Sequence, residues 1–480
     1  MRVANPDSDL ILFVESERMF AAQKWHFQRL YFMISAARHF AEELRGQGFT
    51  VDYRKAPTTR DGIMRARTDH GIEKVLTVEP SSHRLHKELS DLAEYIPSDF
   101  FLTSRQDFIG WAKGQKKLLM ENFYRNQRIR LDILMEGDQP MGGQWNFDEL
   151  NRQPLPKDHS FPPYLLHESD EIDHQVITEI GDSGVEFFGA KPDGSWATTR
   201  KGALKQLKTF CREHLENFGA YEDAMTEKNW ALHHSLLSPY LNIGLLHPGE
   251  VVDAVLDEFA KRPELPLASV EGFIRQVIGW REYVNGVYWF FDEQYRESNV
   301  WGSTGPLPPL LEDPSKTKMR CLNQIVSDIQ SRAWVHHIPR LMVLSNFALI
   351  TGTDPGLFLS WMRRVFIDAA DWVMVPNVIG MSMHADGGRM MSKPYLAGGS
   401  YISKMSDYCD GCPFNPKERT GENACPFTTL YWHFIDENYD DLKKNHRMAR
   451  QIGGIYRLSD RERIREEGTA KIKAIRAGKL

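Results

Sequence analysis

The sequence has little cysteine and no long apolar run. Five cysteines in 480 residues are too few for the disulfide framework of a small secreted protein. The N-terminus lacks the apolar stretch of a signal peptide. The first apolar run, residues 10–14, has the length of a strand and is too short to span a bilayer. We therefore expect a chain without membrane segments that resides in the cytoplasm.

The sequence also lacks an excess of positive charge, since its formal net charge is −6. This balance gives no overall sign of nucleic-acid binding. Residues 441–480 are the exception, with 12 Lys and Arg against 5 Asp and Glu. Such a basic tail fits local contact with an anion, although a solvated helix face is the more frequent cause of the pattern.

Residues 1–135 are predicted to form an α/β domain. Apolar residues at helical spacing predict a helix over residues 27–44, and alternation of strand and helix favours a parallel, Rossmann-like sheet with helices on its faces. No G-x-G-x-x-G follows the first strand, which argues against an ordinary dinucleotide site. The predicted strands are residues 10–14, 50–53, 75–78 and 100–102.

The rest of the chain has a different organisation. Residues 136–190 are rich in Gly, Pro, Asp and Asn, which is typical of an interdomain connection. From residue 191 to residue 480 helical patterns dominate, and we expect a large all-α domain without strands. The sequence shows no internal repeat and no low-complexity segment.

Three cysteines close together are the most informative feature of the helical half. Cys409, Cys412 and Cys425 have the spacing C-x2-C-x12-C. Thiolates select zinc or an iron–sulfur cluster, and both require four ligands. The nearest fourth candidate is Cys321, far upstream, whereas Cys211 lies outside the set. The alternative is a group of buried structural thiols.

Three other strings suggest chemistry rather than packing alone. Ser235 and Ser238 stand at a predicted helix start, where hydroxyls and free N–H groups favour phosphate, although a simple helix cap is the more common role. Arg275 and Gln276 lie in a segment that mixes hydrogen-bond donors with tryptophan. The third string is the pair at positions 336 and 337, two adjacent histidines that a helix points about 100° apart, so that at most one lines a pocket; a structural role is the commoner one for such a pair.

Taken together, these strings resemble the photolyase/cryptochrome superfamily. The sequence Ser-Leu-Leu-Ser-Pro-Tyr-Leu (residues 235–241) and the string Trp-Arg-Glu (residues 280–282) carry the general resemblance. The four cysteines, His-His-Ile-Pro-Arg-Leu-Met (336–342), Pro-Asn-Val-Ile-Gly-Met (376–381) and Lys-Pro-Tyr (393–395) are similar to one branch. That branch comprises the iron–sulfur bacterial cryptochromes and prokaryotic (6-4) photolyases, and the resemblance spans about residues 9–450.

The resemblance implies a monomeric, light-driven DNA-repair flavoprotein that acts on a pyrimidine dimer flipped out of UV-damaged DNA. It implies FAD and a Fe4S4 cluster in the helical domain and a lumazine antenna in the α/β domain. The residues implied for FAD are Tyr221, His234, Ser235, Leu236, Leu237, Ser238, Arg275, Asp386 and Gly387. The residues implied for the lesion are Gln276, His336, His337, Tyr395 and Tyr401, with His337 as proton donor. Trp361 is implied in electron transfer, and the cluster ligands are Cys321, Cys409, Cys412 and Cys425.

The chain also departs from the family pattern. Family members open with one more strand, ending in Gly-Asp-Gln, before the strand at residue 10. Met19 stands where relatives carry a carboxylate for the lumazine. The outer tryptophan that relays electrons to the surface is missing before Cys321, and Trp334 and Trp372 are the candidate substitutes.

Two other functions remain open at this point. The first is a cryptochrome-like blue-light sensor with the same cofactors and no repair activity, which illumination with damaged oligonucleotide would distinguish. The second is a nucleic-acid-binding module with zinc or a cluster but no flavin, since the cluster region of this branch resembles that of primase large subunits. The absorption spectrum of the purified protein separates this module from a flavoprotein.

Overall fold

The α/β half contains two separate pairs of parallel strands. In the computed structural model, which describes residues 4–480, β1 (Leu10–Ser16) pairs with β2 (Thr50–Ala56). β3 (Leu76–Val78) pairs with β4 (Glu94–Ile96). An antiparallel hairpin of β5 (Met135–Glu136) and β6 (Gln139–Pro140) follows. Residues 1–3 of the predicted first domain lie outside the described residues.

The sequence predicted one continuous parallel sheet, and the described residues form two unconnected pairs instead. The apolar side chains of β3 show the consequence, since Leu76 is 49% and Val78 is 48% exposed. Every residue of β1 is also only partly buried.

Three of the four predicted strands are confirmed, and the strand predicted at residues 100–102 is wrong. That segment is a bend, and the fourth strand is β4. The backbone of the bend is held by side chains of the helical half. The carbonyl of Phe100 accepts a hydrogen bond from Arg281 (3.1 Å), and the N–H of Thr103 donates to Glu282 (2.7 Å). These side-chain hydrogen bonds take the place of a strand ladder. The prediction was wrong because it rested on apolar composition alone.

The remaining regular structure is helical, and no strand follows Pro140 in the described chain. The helices are α1 (Glu17–Ala21), α2 (Phe27–Gly46), α3 (Thr59–His70), α4 (His83–Leu89), α5 (Arg105–Lys113), α6 (Met120–Leu131), α7 (Glu171–Gly181), α8 (Arg200–Thr209), α9 (Leu215–Tyr221), α10 (Ser238–Ile243), α11 (Pro248–Lys261), α12 (Leu267–Ile274), α13 (Glu282–Phe290), α14 (Arg320–Arg332), α15 (Asn346–Ile350), α16 (Pro355–Val365), α17 (Asp371–Val375), α18 (Gly399–Met405), α19 (Pro426–Glu437), α20 (Tyr439–Leu442), α21 (Ala449–Ile455) and α22 (Arg461–Arg476). None of the described helices has both the length and the apolar character that a membrane span requires.

Helix α2 confirms the helix predicted at residues 27–44. His26 caps its start by accepting a hydrogen bond from the N–H of Gln28 (3.1 Å). Of the apolar positions that predicted it, Leu30, Ala41 and Leu44 are buried. Helix α2 also contacts α7, a helix within the segment 136–190. That segment therefore packs on the α/β half over part of its length.

Four π-helical segments interrupt the helical half, and three of them coincide with the strings identified in the sequence. They are Phe210–His214, Arg275–Arg281, Pro339–Ser345 and Pro376–Ser382. A π-segment widens the backbone and redirects side chains, and such segments are frequent at functional sites. The last three therefore identify where the helical half builds its site.

A glycine allows the two halves to approach closely. Gly286 of α13 faces Phe108 of α5, and a Cβ atom at Gly286 would lie 2.0–2.3 Å from three ring carbons of Phe108. Phe108 is 1% exposed and packs in the core. The ring has no free space to move into, so any side chain at position 286 has to separate α5 from α13.

We predict that Gly286→Ala lowers the free energy of unfolding by about 1–3 kcal/mol, the usual cost of overpacking. Chemical denaturation measures the effect. The matched control is Gly453→Ala in α21, where a Cβ would meet nothing within 4 Å. We expect the control to be neutral or slightly stabilising, because alanine is the better helix former. Equal stability of the two variants would contradict the proposed close approach.

Candidate functional site

His337 pairs with the carboxylate of Asp223, whose charge also acts on the hydroxyls of Tyr395 and Tyr401. The Nε2 atom of His337 lies 3.3 Å from Oδ1 of Asp223, and the histidine side chain is 49% exposed. Burial, with the nearby charge of Asp223, raises the pKa of Tyr401. Burial also raises the pKa of Tyr395, and the negative charge of Asp223 adds to this increase. Three of the residues predicted for the lesion thus lie near the same carboxylate. Asp223 itself was not predicted from the sequence.

The neighbouring His336 is buried and forms a stack with His234. The two imidazole centroids are 4.2 Å apart with an interplanar angle of 21°. Burial lowers the pKa of both His234 and His336 well below the ordinary value, so both rings are neutral. The ring nitrogens of His234, His336 and His337 lie within 4.8 Å of one another. Stacked imidazoles direct their in-plane lone pairs in parallel, which opposes joint ligation of one metal ion.

Arg275 lies in a buried network of charges. It pairs with Asp148 and with Oε1 of Glu271 (3.2 Å), and its side chain is 3% exposed. Burial opposes the charge of Arg275, yet Glu271 and Asp148 hold its pKa above the ordinary value. Arg275 was predicted to contact the cofactor, and the structure gives it these two carboxylates as its polar contacts.

Glu222 is a buried carboxyl at the centre of this region that the sequence prediction missed. Burial raises its pKa to about 7, against partial opposition from the charges of His337 and Arg275. The Nε atom of Arg152 lies 3.8 Å from Oε1 of Glu222. A carboxyl with a pKa near neutrality is typical of functional sites. Only long-range contacts reveal it, because Glu222 stands in no motif.

Ser238 belongs to a second polar group, formed with Asp368 and Arg340. The hydroxyl of Ser238 donates to Oδ2 of Asp368 (2.6 Å). Arg340 donates to both oxygens of the same carboxylate at 2.9 and 3.1 Å, a bidentate pair. Asp368 and Arg340 were not predicted, although Arg340 lies within the His-His-Ile-Pro-Arg string.

The chain before Ser238 has an unusual backbone. Leu236 has a φ of +58° and Leu237 is 1% exposed, so the turn is held by packing. The hydroxyl of Ser235 accepts a weak bond from the N–H of Leu237 (3.4 Å). Tyr221 ends α9, and its ring centroid lies 4.7 Å from that of His159.

Asp386 and Gly387 form a third group. The carboxylate of Asp386 accepts hydrogen bonds from the hydroxyl of Tyr295 (2.8 Å) and from the N–H groups of Gly388 and Met390 (2.9 Å each). Gly387 has a φ of +69°, which glycine adopts without strain. Asp386 contacts this loop and Tyr295, so its group is separate from those around Asp223 and Asp368.

Two further predicted residues have mainly local contacts. The side chain of Gln276 donates to the carbonyl of Gly272 (3.0 Å), one turn earlier. Trp361 is 1% exposed, and its indole N–H donates to the carbonyl of Leu311 (3.2 Å). Its ring packs beside Phe358, with centroids 5.8 Å apart.

The residues around Ser238 and His234 fit a bound nucleotide cofactor. His234 Nε2 and Trp334 Nε1 are buried and have no hydrogen-bond partner within the described chain. Buried ring nitrogens require a partner, which the hydroxyls and phosphates of such a cofactor can supply. Because His234 is neutral, it would hold the cofactor through a hydrogen bond, whereas Arg340 supplies positive charge.

The four predicted ligand cysteines come together. The charges of Cys425, Cys409 and Cys412 all act on Cys321, and burial with these neighbours raises the pKa of Cys321 well above the ordinary value. Burial also raises the pKa of Cys409, to about 11. Buried thiols of this kind ionise only when a cation compensates the charge. Cys211 is buried elsewhere, in a different hydrophobic cluster.

Local contacts shape the loop that carries Cys409 and Cys412. The N–H of Cys412 donates to the carbonyl of Cys409 (3.2 Å), and Gly411 between them has a φ of +78°. Arg320, the residue before Cys321, donates to the carbonyl of Asp410 (2.6 Å). The upstream ligand and the C-x2-C loop are thus held together by a neighbouring side chain.

A single zinc ion limits how far apart its four sulfur ligands can lie. Zinc with bonds of about 2.3 Å holds its four sulfurs about 3.8 Å apart. In the described part of the chain, no three of the cysteine sulfurs all lie within 4.8 Å of one another. The four thiols are therefore not gathered into a preformed site for a single zinc ion.

We predict that the stability of this protein falls as the pH rises from 4.5 to about 7, through Glu222. Its ordinary pKa of 4.5 in the unfolded chain rises to about 7 in the fold. The folded state therefore binds more protons between these values, and stability decreases as the pH rises through them. The difference corresponds to about 3 kcal/mol. Denaturation of Glu222→Gln should lose this slope, while the exposed control Glu213→Gln should keep it. A slope unchanged in Glu222→Gln would contradict the assignment.

Comparisons with known proteins identify the family and the fold of this chain. A family described as deoxyribodipyrimidine photo-lyase-related protein matches residues 1–196. A relative from Agrobacterium fabrum named (6-4) photolyase is 42% identical over 462 residues, which span 94% of this chain and 90% of the relative.

Two solved structures share the fold. A bacterial class III photolyase from Agrobacterium tumefaciens has a TM-score of 0.56 at 14% identity, covering 98% of this chain and 92% of that one. A cryptochrome from Synechocystis sp. PCC6803 has a TM-score of 0.53 at 14% identity, covering 77% of this chain and 76% of that one. The fold is therefore that of photolyases and cryptochromes. Together with the 42% identity over nearly the full length of the Agrobacterium fabrum protein, this result establishes that the chain belongs to the photolyase/cryptochrome family.

Proposed function

We propose that this protein is a light-driven DNA photolyase that reverses (6-4) pyrimidine–pyrimidone photoproducts. The observation that carries the proposal is the pairing of exposed His337 with Asp223 at 3.3 Å, in a chain 42% identical to a protein named (6-4) photolyase. Reversal of a (6-4) product moves a hydroxyl between two bases, so a positioned proton donor is required. The basic segment 441–480 supports contact with the DNA backbone. We further propose that the protein acts as a monomer.

FAD would be held by the groups around Ser238 and His234. Arg340 and Asp368 would fix the polar end of the cofactor, and the N–H of Trp334 and Nε2 of His234 would gain their missing partners. Reduced FAD, when bound and excited by blue light, supplies one electron to the lesion and recovers it after the bonds rearrange. The surrounding apolar residues exclude water from that region.

His337 is the better proton donor of the adjacent pair. His336 is buried, and burial lowers its pKa well below the ordinary value. At neutral pH its ring is therefore a neutral imidazole and lacks the acidic proton of an imidazolium. His337 is half exposed and can face a flipped base. Asp223 contacts the Nε2 atom of His337 and orients its ring. The neutral stack of His234 and His336 forms the rigid support beneath it.

We propose that the four cysteines hold a Fe4S4 cluster. Cys409, Cys412 and Cys425 all lie near enough to Cys321 to act on its pKa, and a cubane binds one thiolate at each of its four irons. The cluster would join the start of α14 to the loop before α19. Its role would be structural, since it would link segments that are about one hundred residues apart in the chain.

The described α/β half does not fit a lumazine antenna. Glu15, at the end of β1, is engaged by Arg38 (2.9 Å) and by the hydroxyl of Tyr53 (2.6 Å). Met19 stands where relatives have a carboxylate. The two strand pairs of the described chain are not joined into one sheet. We therefore assign no step of the reaction to an antenna.

We predict that protein purified anaerobically with iron supplied contains about four irons per chain. Replacing Cys321, Cys409, Cys412 or Cys425 by alanine should reduce the iron content and the yield of folded protein, because the cluster joins distant segments. Metal analysis and circular dichroism measure the two effects. Cys211→Ala is the matched control and should behave like wild type. Stoichiometric zinc without iron, or full iron content in Cys321→Ala, would contradict the ligand set.

We predict that His337→Ala binds FAD and damaged DNA but repairs (6-4) lesions about 100- to 10,000-fold more slowly, the usual range for loss of general acid–base help. Illumination of reduced protein with a (6-4)-containing oligonucleotide measures the rate. The control is His174→Ala, an exposed histidine of α7, which should repair normally. Unchanged repair in His337→Ala would remove His337 from the mechanism. Absence of repair in the wild-type protein would favour a cryptochrome-like light sensor instead.

A further inference from the structure

The rings of His159 and His233 face each other through their ring nitrogens. The two Nε2 atoms lie 2.7 Å apart, and the ring centroids are 5.1 Å apart. His159 belongs to the segment 136–190, whereas His233 lies in the turn before α10, so only the fold brings them together. Neither histidine is among the residues proposed for FAD, the lesion or the cluster. Two ring nitrogens at this distance require something between them, either one shared proton or one cation.

Both rings are neutral at neutral pH, which is the form of histidine that binds a metal ion. Burial lowers the pKa of His233 to about 3, and the neighbouring His214 and His159 add to this decrease. Burial also lowers the pKa of His159. The Nδ1 atom of His233 is buried and has no hydrogen-bond partner within the described chain. The proton of an Nε2 atom can therefore move to Nδ1 of the same ring, which leaves two Nε2 lone pairs facing the same point.

The separation of the two rings matches that of two histidines on one metal ion. Zinc–nitrogen bonds of about 2.0–2.1 Å in tetrahedral geometry place two ligand nitrogens about 3.3 Å apart and the ring centroids about 5.2 Å apart. The observed centroid separation is 5.1 Å. The rings therefore need only to turn, without moving apart, for the nitrogens to open by about 0.6 Å and admit the ion.

The surroundings of the pair limit the number of protein ligands to two. The ring of His214 is the next histidine, with its centroid 5.7 Å from that of His233. In the part of the chain that the structure describes, the ring nitrogens of these three histidines do not all lie within 4.8 Å of one another. Water would fill the remaining coordination positions. His159 is only partly buried, which gives an ion a path from solvent, whereas His233 is 2% exposed.

The chain around His159 lacks regular structure of its own. Residues 152–170 form neither helix nor strand, and a loop of this length within a compact protein usually has a function. The ring of His159 packs between those of Phe161 and Tyr221, at centroid distances of 4.9 and 4.7 Å. An ion held by His159 and His233 would fasten this loop to the helical half, across 74 residues of sequence.

We propose that His159 and His233 form a binding site for one divalent transition-metal ion of the kind that imidazole prefers, such as Zn²⁺. Imidazole suits zinc, copper and nickel, whereas Mg²⁺ and Ca²⁺ prefer oxygen ligands. The ion takes the position between the two Nε2 atoms, and each ring keeps one proton on Nδ1. Binding at this site therefore releases no proton to solvent at neutral pH. Binding to cysteine thiols does release protons, because the thiols must ionise.

The test titrates Zn²⁺ into the full chain purified anaerobically with iron supplied. Isothermal titration calorimetry gives the stoichiometry and Kd, and repeating it in buffers of different ionisation enthalpy gives the number of protons released. We expect one Zn²⁺ per chain bound without proton release, and no competition from Mg²⁺. His159→Ala should weaken this binding about tenfold or more, since even the loss of an outer-shell partner has an effect of that size.

Two further variants complete the experiment. His233→Asn should lose the same binding, with its folding checked by circular dichroism; the partly exposed His159 decides the matter if that buried variant does not fold. His174→Ala is the matched control, an exposed histidine of α7, and should bind Zn²⁺ like wild type. Binding of Zn²⁺ that is unchanged in His159→Ala, or equally weakened in His174→Ala, would overturn the site. Wild-type protein that binds Zn²⁺ only with proton release, or not at all, would overturn it too and leave a shared proton between the rings.

Discussion

The site depends on the pairing of one buried carboxylate, Glu271. Its side chain is fully buried and accepts hydrogen bonds from the hydroxyl of Tyr124 (2.7 Å) and the N–H of Phe147 (3.1 Å). Arg275 compensates its charge at 3.2 Å. These partners come from α6, from the connecting segment and from the π-segment after α12. Removing one partner of a buried ion pair typically costs about 3–5 kcal/mol, so Glu271 fixes all three elements relative to one another.

The chemistry of the site follows from that arrangement. Arg275 also pairs with Asp148, which holds the connecting segment against the helical half near Glu222. In this setting the carboxyl of Glu222 stays uncharged up to about neutral pH, while Asp223 remains available to His337. The neutral stack below adds no competing charge. Proton transfer is therefore concentrated at the one histidine that reaches the solvent boundary.

The cysteines would apply a similar constraint elsewhere in the helical half. Cys321 lies at the start of α14, and the remaining three stand in the segment between α18 and α19. Arg320 already connects these parts through the carbonyl of Asp410 and the carboxylate of Glu227. A metal centre would make this link permanent, because it compensates the charge of thiolates that burial otherwise keeps protonated.

The sequence by itself determined the features that have a local signature. Helix α2 follows from its apolar spacing, β1 to β3 follow from short strand-like runs, and the run of Cys409, Cys412 and Cys425 is visible from its spacing. The tertiary structure alone decided the bend at residues 100–102, because Arg281 and Glu282 claim its backbone groups. It also decided which histidine of the adjacent pair is buried. No motif contains the partners Asp223, Glu222 and Asp368. They become functional candidates only through contacts with residues distant in sequence, because those contacts determine which carboxyl is buried and which charge is compensated.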